Sequence, residues 1–357
     1  MSAVPLPEPA PGSLLLSEIR EQPAALVRLL EHSKDYARVA ALARTRGLDL
    51  VRMVGHGSSD NAASYGVYAF GLLPRWTALR DSISLSVYYG AKIDLRGSCV
   101  VALSQSGETP DVLAYVERAR AAGALTIAIT NDTDSALGRA AEAALPLAAG
   151  PERSIAATKT YTAQVAALAL LAGHAAGRGR EIEDGIRSAA ALLDGALPGL
   201  ERQLTEISVA FAFVGRMFVI GRGPEFATAR EISLKLLETC RVAAEPLTAT
   251  DLMHGPLAAL DGLFPVWAIA SDDESLPAVR DAAARAQGAG AALIASGPAA
   301  ASIPGADFTV PVPAPSVTLL SPLLSVVPGQ LLAWALAQAK GLDPDRPAGL
   351  SKVTRAL

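Results

Sequence analysis

The sequence predicts an α/β chain built of two similar halves, each a parallel sheet flanked by helices in the doubly wound manner. Short β-branched runs alternate with longer Ala-rich helical runs, which is the pattern of successive strand–helix units. Five candidate strands fall in the first half and five in the second. A Gly-x-Gly turn closes the first strand of each half: Val54-Gly55-His56-Gly57-Ser58-Ser59 in one, Ile220-Gly221-Arg222-Gly223-Pro224-Glu225 in the other. Internal duplication explains both the count and the turns. A length of 357 residues suits two ordinary domains better than one.

Taken in order, residues 1–46 form a Pro-rich tail (1–12) followed by a helical arm (13–46). The tail lacks the basic residue and apolar core of a secretory leader. The first domain, 47–182, has its strands at 50–54, 83–86, 100–103, 125–129 and 144–147. A helical linker, 183–206, leads to the second domain, 207–342, with strands at 217–220, 242–244, 266–270, 292–295 and 308–312. Residues 343–357 close the chain as a short tail.

Composition narrows the class. A chain 51% hydrophobic and 18% charged can bury a sizeable core, and a net charge of −4 disfavours a nucleic-acid surface, where Lys and Arg concentrate. Residues 165–177 are too few to cross a bilayer, which takes about 20 apolar residues. Residues 316–339 are interrupted by Pro322, Pro328, Gly329 and Gln330, so both stretches are expected as buried or subunit-facing helices, with no membrane partner. Cys99 and Cys240 stand in apolar or helical stretches without pairing or ligand spacing, which suggests buried thiols in a reducing cytoplasm. No His, Asp or Glu cluster has ligand spacing, so neither a metal nor another cofactor is expected.

The strongest chemical signal is Ser104-Gln105-Ser106-Gly107-Glu108-Thr109 between an apolar strand and a helix. Hydroxyls, a carboxamide and the free amides of a helix start suit a phosphate dianion. Capping of the chain's own helix accounts for one or two such hydroxyls, but not for this density. No Gly-Lys-Ser/Thr follows, and Gly55-His56-Gly57 lacks a third glycine, so neither a nucleotide loop nor a dinucleotide fingerprint is present. The Gly57-Ser58-Ser59 turn points short hydroxyls into the same crevice, where open α/β sheets bind ligands. In the second half the matching loop reads Ser271-Asp272-Asp273-Glu274, whose carboxylates repel a phosphate. The halves share a fold and divide the labour.

These motifs, with Ala157-Thr158-Lys159-Thr160-Tyr161-Thr162, Lys235-Leu236-Leu237-Glu238, His254-Gly255-Pro256-Leu257 and Gly349-Leu350-Ser351-Lys352, resemble the sugar isomerase (SIS) family. The likeness is narrower to the isomerase half of glutamine–fructose-6-phosphate aminotransferase and to SIS-type amino-sugar-phosphate deaminases. The resemblance implies two tandem SIS domains, each a five-stranded parallel sheet between helices, and one active site at a homodimer interface. It further implies that Ser104, Gln105, Ser106 and Thr109 hold the sugar phosphate. Ser58 and Ser59, the backbone near Ile155, and Ser351 would contact the sugar. Glu238 would move a proton between C1 and C2, His254 of a second subunit would open the ring, and Lys352 would engage the open-chain carbonyl. Lys235 and Glu231 would support that set.

The residue types fit the chemistry, which needs a proton-shuttling carboxylate, a group near neutrality for ring opening and a donor for the carbonyl oxygen. Lys235 and Glu238 stand three apart and share a helix face. A surface ion pair is the competing reading, although six lysines against twenty-five arginines make a lysine among leucines less easy to dismiss. His56 stands where the synthase has a cysteine and Ala157 where a serine is usual, which leaves the sugar open.

A glutaminase needs a cysteine near its start, and here the first is Cys99, so glutamine is not expected as the nitrogen donor. The resulting expectation is a cytoplasmic deaminase/isomerase converting glucosamine 6-phosphate to fructose 6-phosphate and ammonia. Galactosamine 6-phosphate or fructosamine 6-phosphate is the alternative substrate. A sugar-phosphate-binding regulator without turnover is the alternative of another class.

Overall fold

A computed structural model describes residues 10–352. The expected frayed tail therefore lies outside the described residues over 1–9, as do residues 353–357.

Three helices open the described chain, α1 (Ser13–Arg20), α2 (Gln22–Leu30) and α3 (Ser33–Thr45). The first sheet follows as β1 (Leu50–Val54), α4 (Ser58–Leu72), β2 (Thr77–Arg80), α5 (Ile83–Val87), β3 (Ser98–Ser104), α6 (Pro110–Ala121), β4 (Leu125–Thr130), α7 (Ala136–Ala140) and β5 (Ala143–Pro146). Two long helices, α8 (Lys159–Ala175) and α9 (Gly179–Ala210), lead across. The second sheet follows as β6 (Arg216–Gly221), α10 (Glu225–Cys240), β7 (Ala243–Thr248), α11 (Ala249–Met253), β8 (Pro265–Ile269), α12 (Leu276–Gly288), β9 (Ala292–Gly297), β10 (Phe308–Pro311) and α13 (Pro322–Ala339). All pairings are parallel, and the spatial orders β2-β1-β3-β4-β5 and β7-β6-β8-β9-β10 are the same order repeated. The central strand β3 is buried along its whole length, as a strand covered by helices on both faces must be.

One expected strand is wrong. Residues 83–86 belong to the short helix α5, and the edge of the first sheet is β2. The alternation in Ile83-Ser84-Leu85-Ser86 imitates a strand, whereas Thr77-Ala78-Leu79-Arg80 carries the polar composition an edge strand tolerates because only one side is paired. The strand placed at 242–244 is longer than expected and runs through Thr248.

The largest apolar core joins the helices between the sheets, and a smaller cluster lies against each sheet beneath α12 and α6. The centre of the largest core is α13, buried over almost all its length. Thr318–Ala339 is long and apolar enough to cross a membrane, with mean hydropathy 1.6, yet 89% of it is buried inside the protein. Gly329 lets α13 approach α10, since a Cβ there would collide with Ile232. Of the segment at 165–177, residues 165–175 lie within α8 and are buried apart from His174, while Gly177 is exposed. The expected linker, 183–206, lies within the continuous helix α9.

Candidate functional site

The hydroxyl loop leaves β3 at Ser104 and enters α6 at Pro110, where a missing amide is no loss because the first helical amides have no partner anyway. Gly107 has φ +67, and a Cβ there would strike the Ser135 hydroxyl, so the turn needs glycine. Ser104 Oγ accepts from the Gly107 amide (3.1 Å) and lies 3.3 Å from Thr109 Oγ1, while Ser106 Oγ accepts from the Glu108 amide (3.2 Å). The Gln105 carbonyl accepts from the Asn131 amide (3.2 Å) and Thr130 Oγ1 (3.3 Å), which fixes the loop to the end of β4. Two serines thus brace their own loop. Thr109 makes no side-chain cap bond, Pro110 has no amide and the Val112 amide is taken by Asp111 Oδ1 (2.9 Å), so the start of α6 keeps the Asp111 amide without a partner among the described residues.

The neighbouring turn opens α4, with Gly57 at φ +54 and Ser58 and Ser59 as its first residues. Ser58 Oγ donates to Glu231 Oε1 (2.8 Å) and Asn61 Nδ2 donates to Glu231 Oε2 (2.8 Å). Lys235 Nζ lies 3.4 Å from Glu231 Oε1, 3.3 Å from Ser58 Oγ and 2.6 Å from Glu238 Oε2. Ser59 Oγ accepts from Gln164 Nε2 (2.9 Å). Helix α4 of the first half and α10 of the second therefore meet through polar groups. This is no surface ion pair: the Glu231 and Lys235 side chains are 0% and 2% exposed, and only Glu238, at 22%, reaches solvent. Burial pushes the Glu231 carboxyl up, against the opposing pull of Lys235 and Asn61. Burial also works against the Lys235 charge, but Glu231 and Glu238 outweigh it and hold the ammonium at about 12.

The third part is the loop before α8. Glu152 is buried, and its Oε1 accepts from the Thr158 (2.9 Å) and Thr160 (3.1 Å) amides. Its Oε2 is held by Lys352 Nζ (3.0 Å), which also donates to the Ser154 carbonyl (2.7 Å). Burial raises the Glu152 carboxyl, yet Lys352 and the two amides outweigh this and lower it. Ile155 donates its amide to the Asp345 carbonyl (3.3 Å), and Asp345 accepts from the Leu14 (3.1 Å) and Leu15 (2.7 Å) amides, which ties tail, loop and arm together. Lys352 is thus brought beside Ile155, with Ser351 preceding it in the tail. Glu152 also helps hold the Lys235 charge, and Glu238 lines a cavity of about 570 Å³ together with tail residues Arg346, Pro347 and Leu350.

His254 is exposed at the end of α11 and has no side-chain partner among the described residues. The other sequence-chosen residues group into the hydroxyl loop, the Ser58–Glu231–Lys235–Glu238 cluster and the Lys352–Ile155 loop. Sequence reasoning missed Asn61, Gln164, Glu152 and the pair formed by His56 Nε2 and Asp111 Oδ2 (2.7 Å). Asn61 follows Ser58 by three residues on one helix face, which was a usable signal. The others meet their partners only through the tertiary fold.

A family model described as "SIS domain" matches residues 51–173 and 211–339. The chain is 35% identical over 353 residues to the glutamine–fructose-6-phosphate aminotransferase (isomerizing) of Gloeobacter violaceus, covering 95% of this chain and 58% of that relative. The chain therefore spans little more than half the length of that curated protein. Among solved structures, the C-terminal domain of glucosamine-fructose-6-phosphate aminotransferase from Francisella tularensis superposes with TM-score 0.86 at 27% identity, covering 96% of this chain and 100% of that one. Glucosamine-6-phosphate deaminase from Thermotoga maritima has TM-score 0.75 at 22% identity, over 96% and 100% of the two chains, a likeness of fold alone.

Proposed function

Because the chain belongs to the SIS family, we propose that it is a phosphosugar isomerase that acts on an amino sugar, converting glucosamine 6-phosphate and water to fructose 6-phosphate and ammonia. The observation that carries the reading is the Ser58–Glu231 bond. It ties the hydroxyl loop's neighbour in one half to the Lys235–Glu238 pair in the other, which supports a single site where the loop holds the anion and the partly exposed Glu238 carboxylate moves the proton.

In this reading Ser104, Gln105, Ser106 and Thr109 hold the phosphate, and Ser58, Ser59 and the Ile155 backbone hold the sugar. His254 of a second subunit opens the ring, and Lys352 leaves Glu152 to meet the aldehyde oxygen. Glu238 removes the C2 proton and returns it to C1, while Lys352 gives a proton to O1 and the amino nitrogen releases one in exchange, giving a 2-imine that water hydrolyses to the ketone and ammonia. Lys235, held by Glu231, fixes the Glu238 carboxylate by a 2.6 Å hydrogen bond. Burial pushes the Cys99 thiol up to about 12 and the Cys240 thiol up to about 11, so neither is an activated nucleophile that would free ammonia from glutamine.

The test is incubation with glucosamine 6-phosphate, galactosamine 6-phosphate and fructosamine 6-phosphate while ammonia and ketose phosphate are measured. The expected result is ammonia and fructose 6-phosphate from the first. Ammonia from another of the three moves the substrate assignment, and tight binding without product replaces the enzyme by a sugar-phosphate-binding regulator.

A further inference from the structure

The two segments assigned above to the ligand, 55–59 and 104–111, contain no Lys or Arg, while they bring the carboxylates Glu108 and Asp111 toward a dianion. The group in them able to carry positive charge is His56. Its Nε2 lies 2.7 Å from Asp111 Oδ2. The Asp111 side chain is 8% exposed and the imidazole 55%. Asp111 stands in the first turn of α6, directly after the hydroxyl loop, and its Oδ1 also accepts from the Val112 amide (2.9 Å). His56 belongs to the turn after β1, and its carbonyl accepts from the Ser59 amide (3.0 Å). The pair therefore joins the two segments at the edge of the sheet where open α/β folds bind ligands. A carboxylate on Nε2 fixes the ring orientation and leaves Nδ1, which has no partner among the described residues.

The other ionisable groups around this crevice are committed elsewhere. The Glu108 carboxylate accepts from the Ala136 amide (3.1 Å), and Asp60 on α4 lies between Arg80 (3.0 Å) and Arg230 (2.8 Å). Glu231 and Glu238 on α10 face Lys235. In the second half the matching turn residue, Arg222, bonds Thr250 instead and has no such pair.

We propose that His56, aligned by Asp111, is a ligand-contacting residue that donates a hydrogen bond from Nδ1 to the phosphate of the bound sugar, its imidazolium offsetting the Asp111 charge. The inference rests on the phosphosugar reading of the site. A charge-assisted bond of this kind is worth about tenfold or more in affinity.

The test uses the full chain as wild type, His56→Ala, Asp111→Asn and the double variant, titrated with inorganic phosphate and with glucosamine 6-phosphate, with thermal melts alongside. His56→Ala is expected to weaken both ligands about tenfold, to raise KM far more than it lowers kcat, and to leave the melting temperature unchanged. Asp111→Asn is expected to weaken both ligands less, and to add nothing in the His56→Ala background. His56→Ala with unchanged affinity, or with loss for the sugar phosphate but not for inorganic phosphate, overturns the assignment. Wild type that binds neither ligand overturns the reading of the site instead, and so separates the two failures. If His56→Ala melts lower, His56→Gln supplies the same comparison in a ring-free side chain able to bond Asp111.

Discussion

The two sheets repeat one strand order, yet the crevice at the end of each is used differently. In the first half the turn after β1 presents Ser58 and Ser59, and the loop after β3 keeps the start of α6 open. In the second half the turn after β6 leads into Glu225, whose buried carboxyl receives Thr228 Oγ1 (2.6 Å), Ser325 Oγ (2.8 Å) and Ser271 Oγ (2.6 Å). Ser271 follows β8 as Ser104 ends β3, so the position that braces the hydroxyl loop in one half serves an internal carboxyl in the other. Burial pushes the Glu225 carboxyl up, with the three hydroxyls opposing. A duplicated fold thus fixes where side chains stand, and the side chains decide what that place does: it braces a hydroxyl loop in one half and seats a buried carboxyl in the other. The second half contributes instead through the flank of α10, which reaches Ser58 and Asn61 of the first.

The largest effect is expected where the second half acts across that boundary. Glu238→Gln keeps the shape of the side chain and a hydrogen-bonding oxygen for Lys235, but it removes the base. Turnover of the substrate proposed above should fall by about 10²–10⁴, the usual contribution of a positioned acid or base, while phosphosugar affinity measured by calorimetry stays close to wild type. Full activity in the variant would strike the proton shuttle from α10 and leave the second half a scaffold.

How much of this was legible beforehand follows from which contacts are local. The two runs of five strands, the buried thiols and the buried helix α13 follow from periodicity and length. So does the hydroxyl loop, because its residues are contiguous. The i,i+3 and i,i+4 spacing on α10 showed that Glu231, Lys235 and Glu238 share a face, but not that the face is buried, since that depends on α4 arriving from 170 residues away. Glu152 could not be found at all from sequence spacing: its partner Lys352 lies 200 residues on. The misplaced edge strand has the opposite cause, a period of two in a five-residue helix too short to show its own.

The next expected effects separate Ser271 from Ser106. Ser271→Ala removes a donor from a buried carboxyl and should cost about 1–3 kcal/mol in unfolding free energy, with ligand affinity unchanged. Ser106→Ala removes a half-buried hydroxyl whose protein partner is a single loop amide. It should weaken sugar-phosphate binding about tenfold, or about 1.4 kcal/mol, with little change in stability. Denaturant titration and calorimetry on both variants read the two quantities. An exchange of phenotypes, with Ser271→Ala losing affinity, would mean that the second crevice also takes the ligand.

The last effect concerns how the arm is held against the first half. Glu18 of α1 accepts the Arg153 and Ser154 amides next to the Lys352–Glu152 pair. Burial is the main cause that pushes its carboxyl from 4.5 up to about 7, with the Arg153 amide opposing and Glu152 adding to the rise. Between those two values the folded chain keeps a proton that the unfolded chain has released. Stability should therefore decline as pH climbs from about 4.5 to about 7, and the cost of a charged Glu18 is fully present above that. Glu18→Gln keeps an acceptor for the amides and carries no charge at any pH. Urea unfolding at pH 5, 6, 7 and 8 should show a flatter profile for the variant, with the difference between the two proteins opening as pH rises. Parallel profiles would mean that Glu18 releases its proton as it does in the unfolded chain. The arm would then be fastened to the first half by its other polar ties, Arg28 on the Ala148 and Ala149 carbonyls, Tyr36 on the Pro146 carbonyl and Lys159 on Glu21, leaving Glu225 of the second half as a raised buried carboxyl to test in its place.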